Sequence, residues 1–330
     1  MLLIYNDKTN PYFNLAMEEY LLKNFNEDMF ILWRNEPSII IGKNQNTISE
    51  INLDYVKEHN IPVVRRQSGG GAVFHDLGNI NFTFIASNNS FSDFKRFTLP
   101  IIELLRNLNI NAEFSGRNDL LIDGKKFSGN AQYHYKNKVM HHGTLLFSSE
   151  ISDMSNALKA KPIKFEGKGV KSVKSRVTNI SEHLSESMNI LQFKDLLMDY
   201  LEKTNNDNKY YQLTDYDINE INNLVSQKYN TWDWNFGNSP KYSLYNELKY
   251  PYGNIEFNLN VDKGIIKDIK FFGDFFGKYD VSFIEESLIG TKYEENSIKN
   301  VLSNIDVNNY FLGIDLDTLV FGITGVKPIS

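Results

Sequence analysis

Two strand-like runs, Leu120 to Ile122 and Lys125 to Gln132, are joined by Asp123-Gly124 alone. A type I′ turn needs positive φ at both central residues, and Asp-Gly meets that need at little steric cost, so the stretch predicts a two-residue β-hairpin. Gly143 to Ser148 follows as another strand. Upstream, Ile80, Phe82 and Phe84 alternate with Asn79, Asn81 and Thr83, which places the apolar set on one strand face. Prominent antiparallel pairing predicts an α+β fold with mixed, largely antiparallel sheets and argues against a doubly wound parallel sheet. After Asn10-Pro11, the residues Phe13, Ala16, Met17, Tyr20 and Leu21 carry the spacing of an amphipathic helix, while Met29 to Arg34 and Ser38 to Ile41 read as short buried strands. From about residue 246 the pattern restarts, with a hairpin over Gly253 to Asn260 and Ile265 to Phe272 and helices over Ser282 to Leu288 and Ser297 to Ser303. A larger domain over 1–245 and a small α+β accessory domain over 246–330 are expected.

The 330 residues, 41% of them apolar, suffice for two buried cores. A net charge of -6 supplies no overall cationic field for nucleic acid or an anionic membrane. No run approaches the roughly 18 apolar residues of a membrane span. The first residues, MLLIYNDKTNPYFN, lack the basic and long apolar regions of a secretion signal, so a cytoplasmic location is expected. Cysteine is absent from the sequence, which excludes disulfides, thiolate metal sites and any covalent intermediate carried on a cysteine.

Three segments carry chemistry. Arg65-Arg66-Gln67-Ser68-Gly69-Gly70-Gly71-Ala72-Val73-Phe74-His75-Asp76 lies between strand-like runs, and three successive glycines let backbone N–H groups point at a ligand without Cβ interference. Two arginines before it offer forked donors for carboxylate or phosphate. A glycine hairpin with solvated arginines accounts for the glycines alone, but not for the flanking Arg-Arg and His-Asp pairs. Neither standard nucleotide loop is present: Phe74 stands where GxGxxG needs its third glycine, and Gly167-Lys168 is followed by Gly169. In the second segment, Gly116 to Asp119 and Asp123 to Ala131, an Asn118-Asp119 pair lies within hairpin reach of Lys125 and Lys126, suiting a divalent cation on one side and phosphate on the other. In the third, Lys159, Lys161, Lys164, Lys168, Lys171, Lys174 and Arg176 face Glu166 alone, enough cationic charge to fold over a triphosphate, although solvated charge runs are common. His134, His141 and His142 show no zinc-ligand spacing and have no thiolate to join them.

In this order, RRQSGGGAVFHDLGNINFTF, GRNDLL with DGKKFSGNA, HHGTLLF and KGVKSVKSRVTN resemble the lipoate-protein ligase A family. The likeness spans nearly all of residues 1–245, including FNLAMEE, LWRN and WDWNFG, and continues more weakly beyond. It implies the α+β catalytic fold shared with biotin-protein ligases and octanoyltransferases, followed by a small C-terminal accessory domain. The implied activity uses ATP and Mg²⁺ to convert lipoate to lipoyl-AMP, releasing pyrophosphate. The lipoyl group then passes to a lysine of an apo lipoyl domain of a 2-oxoacid dehydrogenase acyltransferase subunit or of a glycine-cleavage H-type protein.

By matching position, the resemblance implies Lys126, and not Lys125, as the essential catalytic lysine. It implies Arg66, Ser68, Gly69, Gly70, Gly71, Ala72, Val73, Phe74 and His75 as the nucleotide and lipoate loop, and Trp33 as an aromatic wall of the lipoyl cavity. Asn118 and Asp119 are implied beside phosphate, with Asp119 as a magnesium ligand, and Asn79 and His142 as further binding residues. Gly167 to Asn179, including Lys171, corresponds to the loop over the adenylate. The chain departs from some members at Tyr133, where they carry a basic residue after SGxA, and no salt bridge is assigned there.

A carboxylate is a poor electrophile until joined to a leaving group, and cationic donors must offset the repulsion when it meets the α-phosphate of ATP. Attack of a carrier amine on the resulting mixed anhydride needs positioning and water exclusion but no enzyme nucleophile. A cysteine-free chain can do this, whereas the transferases of the same fold pass the acyl group through a cysteine. A non-catalytic lipoate or nucleotide-binding module is the other alternative, and the presence of Lys126 and of the whole 167–179 motif argues against it.

Overall fold

A computed structural model describes residues 1–87, 93–116, 118–150, 156–158, 176–237, 244–325 and 327–328. Its strands are β1 (Leu2–Tyr5), β2 (Met29–Trp33), β3 (Ser38–Ile41), β4 (Val63–Arg65), β5 (Val73–His75), β6 (Asn79–Ser87), β7 (Ala112–Ser115), β8 (Asp119–Ile122), β9 (Lys125–Tyr135), β10 (Lys138–Leu146), β11 (Lys209–Tyr210), β12 (Leu244–Tyr250), β13 (Gly253–Asp262), β14 (Ile265–Gly273) and β15 (Lys327–Pro328). Eight of them form one sheet in the order β11-β1-β2-β6-β10-β9-β8-β7. Within it, β1 runs parallel to β11 and β2, and the other pairs are antiparallel. The expected α+β class is the one observed. The Asp123-Gly124 turn has φ of 50° and 77°, the positive pair that this dipeptide tolerates.

Strand alternation divides the core. Phe30 and Leu32 join Ile80, Phe82 and Phe84 under the helices Phe94–Asn107 and Ile190–Thr204, while Met29, Ile31 and Trp33 face the helix Pro11–Asn24. The opposite residues of β6, Asn79, Asn81 and Thr83, are also buried. Asn81 reaches a cavity wall, while Asn79 bonds Asn81 and Thr83 bonds Trp33 and Glu18, so the simple apolar-in, polar-out reading of β6 misses half of its environment.

The helix Pro11–Asn24 starts with the Asn10 side chain accepting from the Phe13 amide. Its expected apolar stripe is buried, but so are Asn14, Glu18 and Glu19. A second, three-stranded sheet, β4-β3-β5, supplies Ile40 and Val64 to the same apolar cluster and covers the helix from another side. Glu19 accepts from Lys228 Nζ at 2.7 Å, Tyr229 OH at 2.6 Å, Lys23 Nζ at 2.5 Å and the Gln67 amide. Burial alone would raise its pKa, but Lys228 and these hydrogen bonds bring it down to about 2 from an ordinary 4.5. A folded-state value below the unfolded one stabilises fully above the unfolded pKa and is lost on acidification. The melting temperature should therefore fall as pH drops from 4.5 toward 2, with roughly 3 kcal/mol at stake before subtracting the cost of burying Lys228. In Glu19→Gln the melting curves across that window should converge; parallel slopes for parent and variant would show that Glu19 does not carry the dependence.

The remaining four strands form a separate antiparallel sheet, β14-β13-β12-β15, with its own apolar core against the helices Ser282–Leu288, Glu295–Leu302 and Leu316–Thr324. The chain leaving β14 returns to the larger unit: Gly273 N donates to Asn44 O at 2.9 Å, Gly70 N to Phe275 O at 3.4 Å, and Lys43 pairs with Asp280 at 2.5 Å. Among the described residues no helix is long and apolar enough to cross a membrane.

Candidate active site

The glycine segment folds around a guanidinium. Arg66 Nε donates to Ser68 Oγ at 3.0 Å, Nη2 to the carbonyls of Gly69 and Gly71 at 2.7 and 2.8 Å, and Nη1 to Ile40 O at 3.2 Å. Gly70 sits at φ 89°, and a Cβ on Gly42 would lie 1.9 Å from Gly70 O, so the loop is held in a conformation open to few other residues. Burial lowers the Arg66 guanidinium to about 10, which leaves it charged at neutral pH.

Arg65 corrects an expectation. The guanidinium expected as a second fork for an anionic ligand is buried away from the cavity, and its donors are spent on protein. Nη1 donates to the carbonyls of Gly42, Lys43 and Gln45, Nη2 to Thr47 Oγ1 and Asn235 O, and Nε to Trp234 O. Side chains alternate across β4, so two successive arginines cannot serve one site equally.

A cavity of about 250 Å³ opens beside this loop. Leu15, Trp33, Ile40 and Val73 give it an apolar wall; Arg66, Asn118, Asp119, Lys126, Asn130 and Thr144 give it polar ones. Lys126 Nζ lies 2.8 Å from Asp119 Oδ1 across the β8–β9 pair, and both side chains are about two-fifths exposed, at 41% and 38%. Lys125, one residue earlier, is solvent-exposed and off the cavity wall. The backbone of Lys126 is bracketed by Arg176 O, which accepts from its N–H at 2.9 Å, and by Thr178 N, which donates to its carbonyl at 3.0 Å. The described end of the 167–179 motif thus lies against Lys126, while Lys171 and residues 159–175 fall outside the described residues.

A buried carboxylate underpins the opposite wall. Glu18 Oε1 accepts from Thr83 Oγ1 at 2.5 Å and faces His142 Nδ1 at 2.9 Å. Thr83 Oγ1 accepts from Trp33 Nε1 at 3.0 Å, and His142 Nε2 meets Ser68 Oγ at 2.6 Å. One carboxylate therefore fixes the indole, the imidazole and, through Ser68, the Arg66 loop. His75 receives Asn35 Nδ2 at Nδ1, 3.1 Å away, which leaves Nε2 carrying the proton with no partner among the described residues. Burial and then the nearby Arg66 charge hold His75 at about 3, so it is neutral.

Of the residues singled out in the sequence, Trp33, Arg66, Gly70, Gly71, Ala72, Val73, His75, Asn118, Asp119, Lys126 and His142 line this cavity together. Ser68 and Gly69 lie behind its wall, the first on His142 and the second packed near Phe275 O. Phe74 points into the cluster of Ile39, Ile41 and Val63, because Val73 and His75 take the other face of β5. Asn79 stands behind Asn81, donating to its Oδ1 at 3.0 Å, and it is Asn81 that reaches the wall. Sequence reasoning passed over Glu18, Asn130, Thr144 and Asp274. The last comes from the turn after β14 and could be found only from the tertiary contact. Among the described residues no group of three or more His, Cys, Asp or Glu forms a metal cluster.

Comparison with known proteins fits this geometry. Residues 10–202 match the lipoyl protein ligase A/B catalytic domain and residues 239–321 the bacterial lipoate protein ligase C-terminus. These matches place the chain among the ligase-type acyl-group enzymes. The lipoate-protein ligase LplJ of Bacillus subtilis is 49% identical over 318 residues, 94% of this chain and 96% of that protein. The crystal structure of P. falciparum LipL1 in complex with lipoate superposes with a TM-score of 0.78 at 31% identity, covering 92% of this chain and 94% of that one. A lipoate-protein ligase A bound with ATP gives a TM-score of 0.62 at 25% identity over 72% of this chain and 98% of its own. The chain belongs to the lipoate-protein ligase family, and it is an enzyme of that class.

Proposed function

We propose that the cavity binds lipoate and ATP side by side, joins them as lipoyl-AMP with release of pyrophosphate, and passes the lipoyl group to a lysine of an apo carrier protein. The observation that carries this reading is the convergence of the Trp33 wall, the Arg66-centred glycine loop and the Lys126 ammonium on one cavity. The apolar wall of Leu15, Trp33, Ile40 and Val73 suits an acyl chain and its ring. The Gly70 and Gly71 backbone and the buried Arg66 charge suit the carboxylate and the innermost phosphate. Lys126 stabilises the negative charge that develops as the carboxylate oxygen bonds to the α-phosphorus and pyrophosphate departs.

Asp119 and Asn118 offer hard oxygen atoms on the cavity wall and fit Mg²⁺ that takes its other ligands from phosphates and water. When bound, the metal supplies charge stabilisation to the departing pyrophosphate. Asp119 would help to hold that ion, and Lys126 Nζ, 2.8 Å from its carboxylate, is placed to offset phosphate charge. In the second step the carrier amine attacks the acyl carbon, AMP leaves and the amine sheds its proton; walls that exclude water protect the anhydride until then. Residues 1–245 form the catalytic domain in this reading, and residues 246–330 an accessory domain that closes one side of the cavity through Asp274. The carriers are lipoyl domains of acyltransferase subunits or an H-type protein, and the setting is the cytoplasm.

Purified protein with Mg²⁺ should exchange labelled pyrophosphate into ATP only when lipoate is present. Exchange no greater than a lipoate-free blank would reject adenylation. Intact-mass analysis of apo carriers after incubation with enzyme, ATP, Mg²⁺ and lipoate then identifies which carrier gains a lipoyl group.

A further inference from the structure

His141 is fully buried and off the cavity wall, yet its contacts lead there. The ring is stacked between Phe97, at 5.0 Å and 21°, and Phe82, at 5.9 Å and 30°, with Phe94 edge-on at 5.6 Å. A phenyl group could fill such a slot, so packing alone does not call for an imidazole. The two nitrogens give a different reason. Gln132 Nε2 lies 3.2 Å from Nδ1, and Asn130 Oδ1 lies 3.2 Å from Nε2. An amide nitrogen donates and an amide oxygen accepts, so the ring is neutral with its proton on Nε2. The Asn130 amide cannot be turned the other way without loss, because Nδ2 already donates to Asn118 O at 3.0 Å and Ser128 Oγ at 3.2 Å. Burial, and then neighbouring His142, push His141 well below the ordinary histidine range, in keeping with a neutral ring.

From Asn130 the contacts reach the polar wall. Besides Nδ2, its backbone N–H donates to Asn118 O at 3.0 Å, and its carbonyl accepts from Asn118 Nδ2 at 2.6 Å. Three hydrogen bonds thus clamp Asn118, the residue before Asp119, whose carboxylate faces Lys126. The adjoining glycine belongs to the same device: a Cβ on Gly143 would lie 2.2 Å from Asn130 Oδ1. In His141-His142-Gly143, the second histidine serves the Ser68 side of the cavity, and the first histidine and the glycine serve the Asn118 side.

We propose that His141 is a positioning residue for the adenylation step: its Nε2–H fixes the Asn130 amide, which holds the Asn118-Asp119 corner in place for the triphosphate. The inference rests on the function proposed above and adds to it a division of labour, since the Trp33 wall lies on a different hydrogen-bond network. His141→Phe keeps the aromatic stack and removes the donor, whereas His141→Gln keeps a donor. In lipoate-dependent ATP–pyrophosphate exchange by the full chain, His141→Phe should raise the KM for ATP about tenfold, the effect of stranding one buried acceptor, and leave the KM for lipoate within about twofold. His141→Gln should recover most of the ATP KM. Asn130→Ala, which cuts the link from its other end, should show the same ATP-selective rise, and it tests the link even if His141→Phe fails to fold. An ATP KM unchanged in these variants, or both KM values rising together without rescue by His141→Gln, would overturn the proposal. The ¹⁵N shifts of His141 in the ligand-free protein provide a readout independent of activity: a neutral Nε2–H ring is expected at pH 7, and a doubly protonated or Nδ1–H ring would refute the link. Absence of exchange in the unsubstituted protein would instead count against the function itself.

Discussion

Lys126→Ala should reduce lipoate-dependent ATP–pyrophosphate exchange on the order of 10²- to 10³-fold, the usual consequence of losing one preorganised charge at a centre of developing negative charge. Lys125→Ala should retain most of the rate. The two lysines are adjacent in β9, but only Lys126 lines the cavity, 2.8 Å from Asp119, while Lys125 is exposed to solvent. Neither substitution should shift the melting temperature much, because Lys126 is two-fifths exposed and an ion pair with that much solvent contact stabilises little. Exchange rates and thermal melts on the same preparations separate a catalytic loss from unfolding. Equal losses of activity in both variants would contradict the assignment of a single lysine.

Arg65→Met should destabilise the fold by about 3 to 5 kcal/mol, the range typical of removing a buried charged group whose partners then remain buried. The guanidinium gathers the carbonyls of Gly42, Lys43, Gln45, Trp234 and Asn235, so it ties the segment after β3 to the short helix Trp232–Asn235. Methionine fills part of the volume and satisfies none of those acceptors. Chemical denaturation should register the loss directly. Because Arg65 does not line the cavity, the folded fraction should keep a near-normal lipoate KM. A variant as stable as the parent but defective in binding would return Arg65 to the ligand site.

The hairpin at Asp123-Gly124, the β6 alternation and the hairpin of β13 and β14 were legible because each is a local signal: a turn type, a period of two, a repeated strand-turn-strand pattern. Most of the cavity-lining residues were legible through the family motifs. The Arg65-Arg66 pair was not, since two equal side chains next to each other meet opposite environments once β4 sets their directions. The helix Pro11–Asn24 looked half-exposed because Asn14, Glu18 and Glu19 are polar, and nothing local announces that Asn35, Thr83, His142, Lys228 and Tyr229 will arrive to pair with them. Asp274 was hidden for the same reason, since its approach to Gly71 depends on how the second core docks on the first.

The central claim is that lipoate and the α-phosphate of ATP meet between Trp33 and Lys126. A crystal structure of the full chain with a non-hydrolysable lipoyl-AMP analogue tests it most directly. The acyl chain should lie against Trp33, Leu15 and Val73, with the phosphate within hydrogen-bond distance of Lys126 Nζ and the Gly70-Gly71 backbone. An analogue bound elsewhere, or bound here with its phosphate turned away from Lys126, would contradict it.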